Sequence, residues 1–215
     1  MNNYTVKAES LGKSFGRRLI FSGLGFEFSG QGIFGISGPN GSGKSTLVKI
    51  IAGIISPSAG RIKHNFNKIE IPSEKLHNHI GFVSPYLVLY EEFSAWENLE
   101  FTARIRSVAF NRELLEYLLN IFLLYSRKDD LVKTYSSGMK QRMKFIFALM
   151  HSPQLLIFDE PTSNLDDEGK DSVYRIINEQ GRNNIVLIAS NEKNDLDLCS
   201  RKLVLQNYKN TPVQE

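Results

Sequence analysis

Nine consecutive residues, Gly38-Pro39-Asn40-Gly41-Ser42-Gly43-Lys44-Ser45-Thr46, constrain this chain more than any other stretch. They fit the phosphate-cradling pattern G-x-x-x-x-G-K-[ST]. The apolar run Gly32 to Ser37 before them predicts a buried strand, and Lys44 to Gly53 after them predicts a helix. Glycines here let successive backbone N–H groups curl around an anion without Cβ clashes. The helix N-terminus adds unpaired donors and the positive end of its dipole. In that setting Lys44 is expected to reach the β- and γ-phosphates of a nucleoside triphosphate, with the Ser45 hydroxyl on Mg²⁺. Residues 38–46 together form the expected binding stretch.

The 215 residues suffice for one globular unit with a real core. A net charge of +3 suits phosphates or an anionic membrane surface but is too weak to argue for nucleic acid, so none is expected as a partner. The single cysteine, Cys199, excludes an internal disulfide framework and a cysteine-based zinc site, and reads as a small packing residue. Met1 to Lys7 has no signal-peptide apolar core, and no apolar run approaches the length of a membrane span. The longest candidate, Leu114 to Tyr125, is broken by Glu116 and Asn120. A cytoplasmic location is expected, with any membrane work done through a partner.

Short strands are expected at Val6–Ala8, Leu19–Phe21 and Leu24–Phe28, as a small β-layer with glycine-rich turns at 23–25 and 29–32. Phe15, on the loop Gly12 to Gly16, either stacks on a base or covers that layer from a strand end. Residues 65–79 read as polar loop, with His64, His77 and His79 as surface residues. After a short strand at Ile80–Val83 comes the apolar loop 84–93, which either offers a groove to a partner helix or packs internally. Helices at about 94–106 and 111–124 follow, predicting a helical insertion, about 84–152, between two halves of an α/β core. Ser136-Ser137-Gly138 opens another helix with Met139, Met143, Ile146, Phe147 and Met150 on one face and Lys140, Gln141, Arg142 and Lys144 mainly on the other. Pro153 stops it. Leu155–Phe158 then delivers Asp159 and Glu160 to a strand's C-terminal end, where open α/β sheets bind ligands. A helix over 167–181, strands at Ile185–Ser190 and Lys202–Leu205, and a polar tail from about Asn207 complete the chain.

Taken in this order, the pieces resemble the ATP-binding subunit of an ABC transporter, over about residues 4–206. Trp96-Glu97-Asn98-Leu99 is similar to the start of that family's helical subdomain. Tyr135-Ser136-Ser137-Gly138-Met139-Lys140-Gln141-Arg142 resembles its signature L-S-G-G-Q-x-x-R in a variant form. Leu155 to Pro161 resembles Walker B with its glutamate, and Ser163-Asn164-Leu165-Asp166 is similar to the D-loop. The resemblance implies an α/β fold of the ABC-type P-loop NTPases, with a mainly parallel core sheet, an antiparallel β subdomain and the helical insertion. It implies a single ATPase domain over 1–206, and the polar residues 207–215 read as a disordered tail.

The same resemblance implies ATP and Mg²⁺ as ligands, with Phe15 stacking on adenine and Asp159 joining Ser45 around the metal. Glu160 would polarise the attacking water, with Lys44 and Asn191 on the γ-phosphate. Ser136 and Gly138 would complete the site of a second, identical cassette in a head-to-tail dimer. Hydrolysis would power transport through separate transmembrane permease subunits, from the inner face of the cell membrane. The short helical insertion resembles export-type cassettes, including the haem-exporter-like group.

Two positions depart from the family pattern. Pro85 stands where a glutamine usually reaches the metal and water, and Asn191 stands in place of the switch histidine. Proline offers neither a side-chain ligand nor an N–H. An amide donates a hydrogen bond but carries no positive charge and shuttles no proton. A slow chemical step is therefore expected. A soluble ABC-type ATPase acting on DNA or ribosomes would bring tandem cassettes, long coiled-coil inserts or zinc cysteines. A small-molecule kinase is opposed by Ser136 to Arg142; a weakly hydrolysing regulatory cassette is kept open by Pro85 and Asn191, with Glu160 arguing only against full inactivity.

Overall fold

Alternating burial organises the N-terminal third. The structure, a computed structural model, describes residues 3–208. β1 (Tyr4–Phe15) and β2 (Arg18–Ser29) pair antiparallel with Tyr4, Val6, Ala8 and Leu11 turned inward. Both outrun the short fragments expected from sequence, because register shifts between Ala8 and Ser14 carry the ladder past Gly23 and Gly25 without a turn. β3 (Gly32–Ser37) leads through 38–43 into α1 (Lys44–Ile51), as the flanking apolar runs predict. β4 (Ala59–Phe66) joins β1 and β5 (Ile69–Glu70) joins β4, completing an antiparallel sheet in the order β2-β1-β4-β5.

Residues 65–79 are thus the end of β4, β5 and a 3₁₀ turn at Ser73–Asn78, where a loop was expected. His64 is correspondingly a core residue, 3% exposed, with its Nδ1 2.8 Å from the Tyr4 hydroxyl. His79 is half-buried, its Nδ1 2.7 Å from Gln154 Oε1, while His77 is exposed. Burial pushes the His64 imidazole down from 6.5 to about 4. Between those values the unfolded chain binds a proton that the folded chain refuses, so stability falls as pH falls through that window. The full passage costs roughly 3 kcal/mol. Urea unfolding followed from about pH 7 to pH 4 checks this, with a shallower slope expected for His64→Phe than for wild type. Equal slopes would refute the assignment.

The chain continues through β6 (Ile80–Val83), α2 (Ala95–Ile105), α3 (Arg112–Ile121), α4 (Ser137–Leu149), β7 (Leu155–Asp159), α5 (Asp167–Gly181), β8 (Ile185–Ser190), α6 (Lys193–Asp197) and β9 (Arg201–Val204). Five strands form a parallel sheet in the order β6-β7-β8-β3-β9, and the α/β class expected from sequence holds. β7 and β8 are buried throughout, and their alternation splits the core in two. Leu155, Ile157, Ile185 and Leu187 pack with α1 and the antiparallel sheet. Leu156, Phe158, Val186 and Ile188 pack with the helices on the other face.

α2 starts at a capping box: Ser94 Oγ accepts from the Glu97 amide and Glu97 Oε2 accepts from the Ser94 amide at 2.7 Å. α4 lies close under β6, where a Cβ on Gly81 would meet the Ala148 carbonyl oxygen at 2.2 Å. Its buried face includes Phe145 and Gln141, the latter expected on the polar side. Asn207 and Tyr208, expected in a disordered tail, close a 3₁₀ turn at Leu205–Tyr208. The rest of that tail, 209–215, lies outside the described residues.

Candidate nucleotide-binding site

The carboxyl ends of β3, β7 and β8 converge on one cleft of about 630 Å³. β3 supplies the glycine-rich turn, and Gly43, at φ +105, hands it into α1. A Cβ at Gly43 would meet Ile20 Cγ2 at 2.5 Å, so only glycine lets the turn approach β2 this closely. Asn40, Gly41, Gly43, Lys44, Ser45 and Thr46 line the cleft. Gly38, Pro39 and Ser42 shape the turn from behind: Gly38 O accepts from Lys44 Nζ at 2.9 Å and Pro39 O from the Ser42 amide at 3.0 Å. Ser42 is fully buried.

β7 brings two carboxylates to opposite tasks. Asp159 Oδ1 accepts from Ser45 Oγ at 3.1 Å, while its buried Oδ2 has no hydrogen-bond partner. Burial raises the Asp159 carboxyl above its ordinary range, opposed by the Ser45 hydroxyl, Lys49 and Lys44. Glu160 Oε1 sits 3.3 Å from Lys44 Nζ. Burial raises the Glu160 carboxyl too, with the Lys44 ammonium as the main opposing influence. The Glu160 backbone adopts φ +50, tied by its amide to Ala189 O at 2.8 Å and by its carbonyl to the Ser163 hydroxyl at 2.9 Å. A glutamate in the left-handed region is a strained choice of the kind that collects at functional sites.

Phe15 lies at the end of β1 and not on a loop, and the residue is 52% exposed at the cleft mouth, with Lys13 Nζ 4.8 Å from its ring centre. Across the cleft, Asn191 Nδ2 donates to Asn40 Oδ1 at 3.3 Å. Pro85 and Tyr86 close the remaining side. Lys144 Nζ holds the Pro85 carbonyl at 2.7 Å, and Lys49 Nζ lies 4.7 Å over the Tyr86 ring.

Ser136 and Gly138 do not line this cleft. Exposed Ser136 caps α4, its Oγ accepting from the Met139 amide at 3.2 Å. Gly138 faces the turn after β7, where a Cβ would meet Asn164 O at 3.3 Å. Sequence reasoning missed a buried group behind the cleft, in which Thr162, Tyr174 and Ser190 all donate to Asp195. No local pattern marks these residues, because packing alone brings them together.

A family model described as ABC transporter matches residues 21–163. The chain is 32% identical over 189 residues to linearmycin resistance ATP-binding protein LnrL of Bacillus subtilis (strain 168), covering 85% of this chain and 60% of that protein. It is 32% identical over 211 residues to Nod factor export ATP-binding protein I of Rhizobium sp. (strain N33), covering 96% and 69%. The chain thus spans about two thirds of the length of such relatives, from 60% to 69% in these two. Among solved structures, cbiO1 from Clostridium perfringens, part of the ABC transporter complex cbiONQ, matches with a TM-score of 0.76 and 27% identity over 94% of this chain and 84% of that one. A putative ABC transporter ATP-binding protein from Pyrococcus furiosus shares the fold at a TM-score of 0.81, with 22% identity over 95% and 99%.

Proposed function

We propose that this chain, which belongs to the ABC transporter family, binds ATP with Mg²⁺ and hydrolyses it to power transport through separate membrane subunits. The observation that carries the reading is the single cleft in which Lys44, Ser45, Asp159, Glu160 and Asn191 meet. Residues 1–206 act as one ATPase domain with the helical insertion at about 84–152.

Ser45 and Asp159 would hold Mg²⁺: the pairing of a hydroxyl with a carboxylate whose second oxygen is buried and unpartnered fits a hard cation. The ion would offset charge on the phosphate oxygens. Lys44 bridges Gly38 O and Glu160. Phosphate oxygens compete for that ammonium, and Glu160 is then left to orient the water attacking the γ-phosphorus and to take its proton. Exposed Phe15 at the cleft mouth suits adenine stacking.

Ser136 and Gly138, away from their own chain's cleft, suit a head-to-tail dimer of identical cassettes in which each completes the partner's γ-phosphate site. Ile54, Phe82, Leu87 and Phe147 line an apolar groove of about 360 Å³, and Val88 and Tyr90 stand exposed nearby. This favours docking of a membrane subunit's cytoplasmic helix over internal packing of loop 84–93. The working place is then the inner face of the membrane, and no helix among the described residues is long and apolar enough to cross it. The resistance and export named for the relatives favour an export-type cassette.

Mg²⁺-dependent ATP hydrolysis and ATP-dependent dimerisation of the purified chain test this reading. Turnover well below the ordinary enzyme median of ~10 per second is expected. Asn191→His is expected to raise it by about threefold or more, since a charged donor is roughly twice as strong as a neutral one. A wild type already near ~10 per second would remove the penalty assigned to Pro85 and Asn191. Absence of nucleotide binding would overturn the function itself.

A further inference from the structure

Behind the cleft lies a carboxylate that touches none of the expected ligand. Asp195, on α6, is fully buried. It accepts from Ser190 Oγ at 2.7 Å, from Thr162 Oγ1 at 3.0 and 3.2 Å, and from the Tyr174 hydroxyl at 3.0 Å. The donors come from three places: the end of β8, the turn after Glu160, and α5. No ammonium or guanidinium lies in ion-pair range of Asp195 among the described residues, so hydroxyls alone hold this charge in place.

Ser190 is the link to the chemistry. Its oxygen is also 3.4 Å from Glu160 Oε2, and it accepts from the Glu192 amide at 3.0 Å. A serine has one proton to donate. The 2.7 Å bond to Asp195 takes it, because the shorter, well-desolvated contact is the stronger. Glu160 Oε2 therefore meets an oxygen whose proton is turned away, and the carboxylate stays available to water. The same bond fixes the turn that begins at Ser190 and presents Asn191 to Asn40. Thr162 fixes the turn that follows Glu160.

We propose that Asp195 is a positioning residue for ATP hydrolysis, holding the Ser190 proton away from Glu160 and locking the two turns that flank the γ-phosphate. The inference rests on the hydrolytic reading of Glu160 above. An asparagine at 195 keeps the size but presents an N–H₂ where a second acceptor oxygen stood. At least one hydroxyl must then turn, and Ser190 has Glu160 as its alternative acceptor.

The test is steady-state ATP hydrolysis, nucleotide affinity and thermal midpoint for a small set of full-chain variants. Asp195→Asn is expected to lower kcat by about tenfold or more, with KM for ATP within about twofold of wild type, in line with effects of groups that orient a reacting shell. The decisive variant is Asp195→Asn combined with Ser190→Ala. It has no hydroxyl to turn onto Glu160, so kcat is expected to recover by about threefold over Asp195→Asn alone. A purely structural role predicts the opposite, a double variant at least as slow as the worse single one. Tyr174→Phe removes a donor from a partly exposed residue and guards against misfolding of the others. It is expected to lower kcat by about two- to fivefold at unchanged KM. Unchanged kcat in Tyr174→Phe and Asp195→Asn, or no recovery in the double variant, overturns the proposal. A wild type whose hydrolysis survives Glu160→Gln overturns the reading it rests on instead.

Discussion

Replacing Glu160 with glutamine is expected to lower kcat by about 10²–10⁴-fold while leaving ATP binding in place. The glutamine keeps the size and one acceptor oxygen, but it cannot take a proton from water. It also loses the ion pair with Lys44, whose ammonium lies 3.3 Å away. Lys44 is then freer for phosphate, so ATP affinity is expected to hold or rise. If two cassettes close around ATP and hydrolysis reopens them, the variant accumulates as an ATP-bound dimer. Size exclusion with and without ATP, beside a phosphate-release assay, reads both effects. Hydrolysis that continues at the wild-type rate would remove Glu160 from the mechanism.

Lys44→Ala is expected to act at the earlier stage, on binding. Lys44 is 5% exposed and is the cation nearest to both the Gly38 carbonyl and the Glu160 carboxylate. Charge-assisted hydrogen bonds to phosphate are worth about 1.5–3 kcal/mol each. Losing them is expected to weaken ATP by about 10²-fold. Glu160 simultaneously becomes an unpaired, partly buried negative charge facing the phosphates. Thermal unfolding gives a direct check. Ligand at about 100 times Kd stabilises a folded protein by about 2.7 kcal/mol, and that increment should nearly vanish in the variant. An undiminished ATP-dependent shift would show that backbone donors alone hold the phosphates.

The sequence makes legible the features that depend on neighbours along the chain. Gly38 to Thr46 is legible because a turn that binds phosphate needs its glycines, lysine and hydroxyl at fixed local offsets. Asp159 and Glu160 are legible because a buried strand announces itself as an apolar run and places its last residues at the sheet's end. His64 carries a partial signal: Ile62, His64 and Phe66 alternate with Arg61, Lys63 and Asn65, the period of a half-buried strand. Its polar neighbours masked that signal. The Asp195 group was not legible, since four residues spread from 162 to 195 acquire their chemistry only from packing. Phe15 sits between these cases, for its identity and place were visible but its exposure was not.

The division of the core by β7 has a mechanical side. A strand whose successive side chains are gripped from opposite faces, Leu155 and Ile157 by one cluster and Leu156 and Phe158 by the other, cannot slide or tilt without loosening both. It behaves as a stator. Beside it, the loop at 84–93 is the open segment, with Tyr86, Val88 and Tyr90 exposed, whereas the turns after Glu160 and Ser190 are held by the Asp195 group. Asp159 and Glu160 then keep a constant reference frame while their surroundings travel. In the proposed function, force passed to a membrane partner would run through the helices packed on one face while the reacting carboxylates stay with the strand.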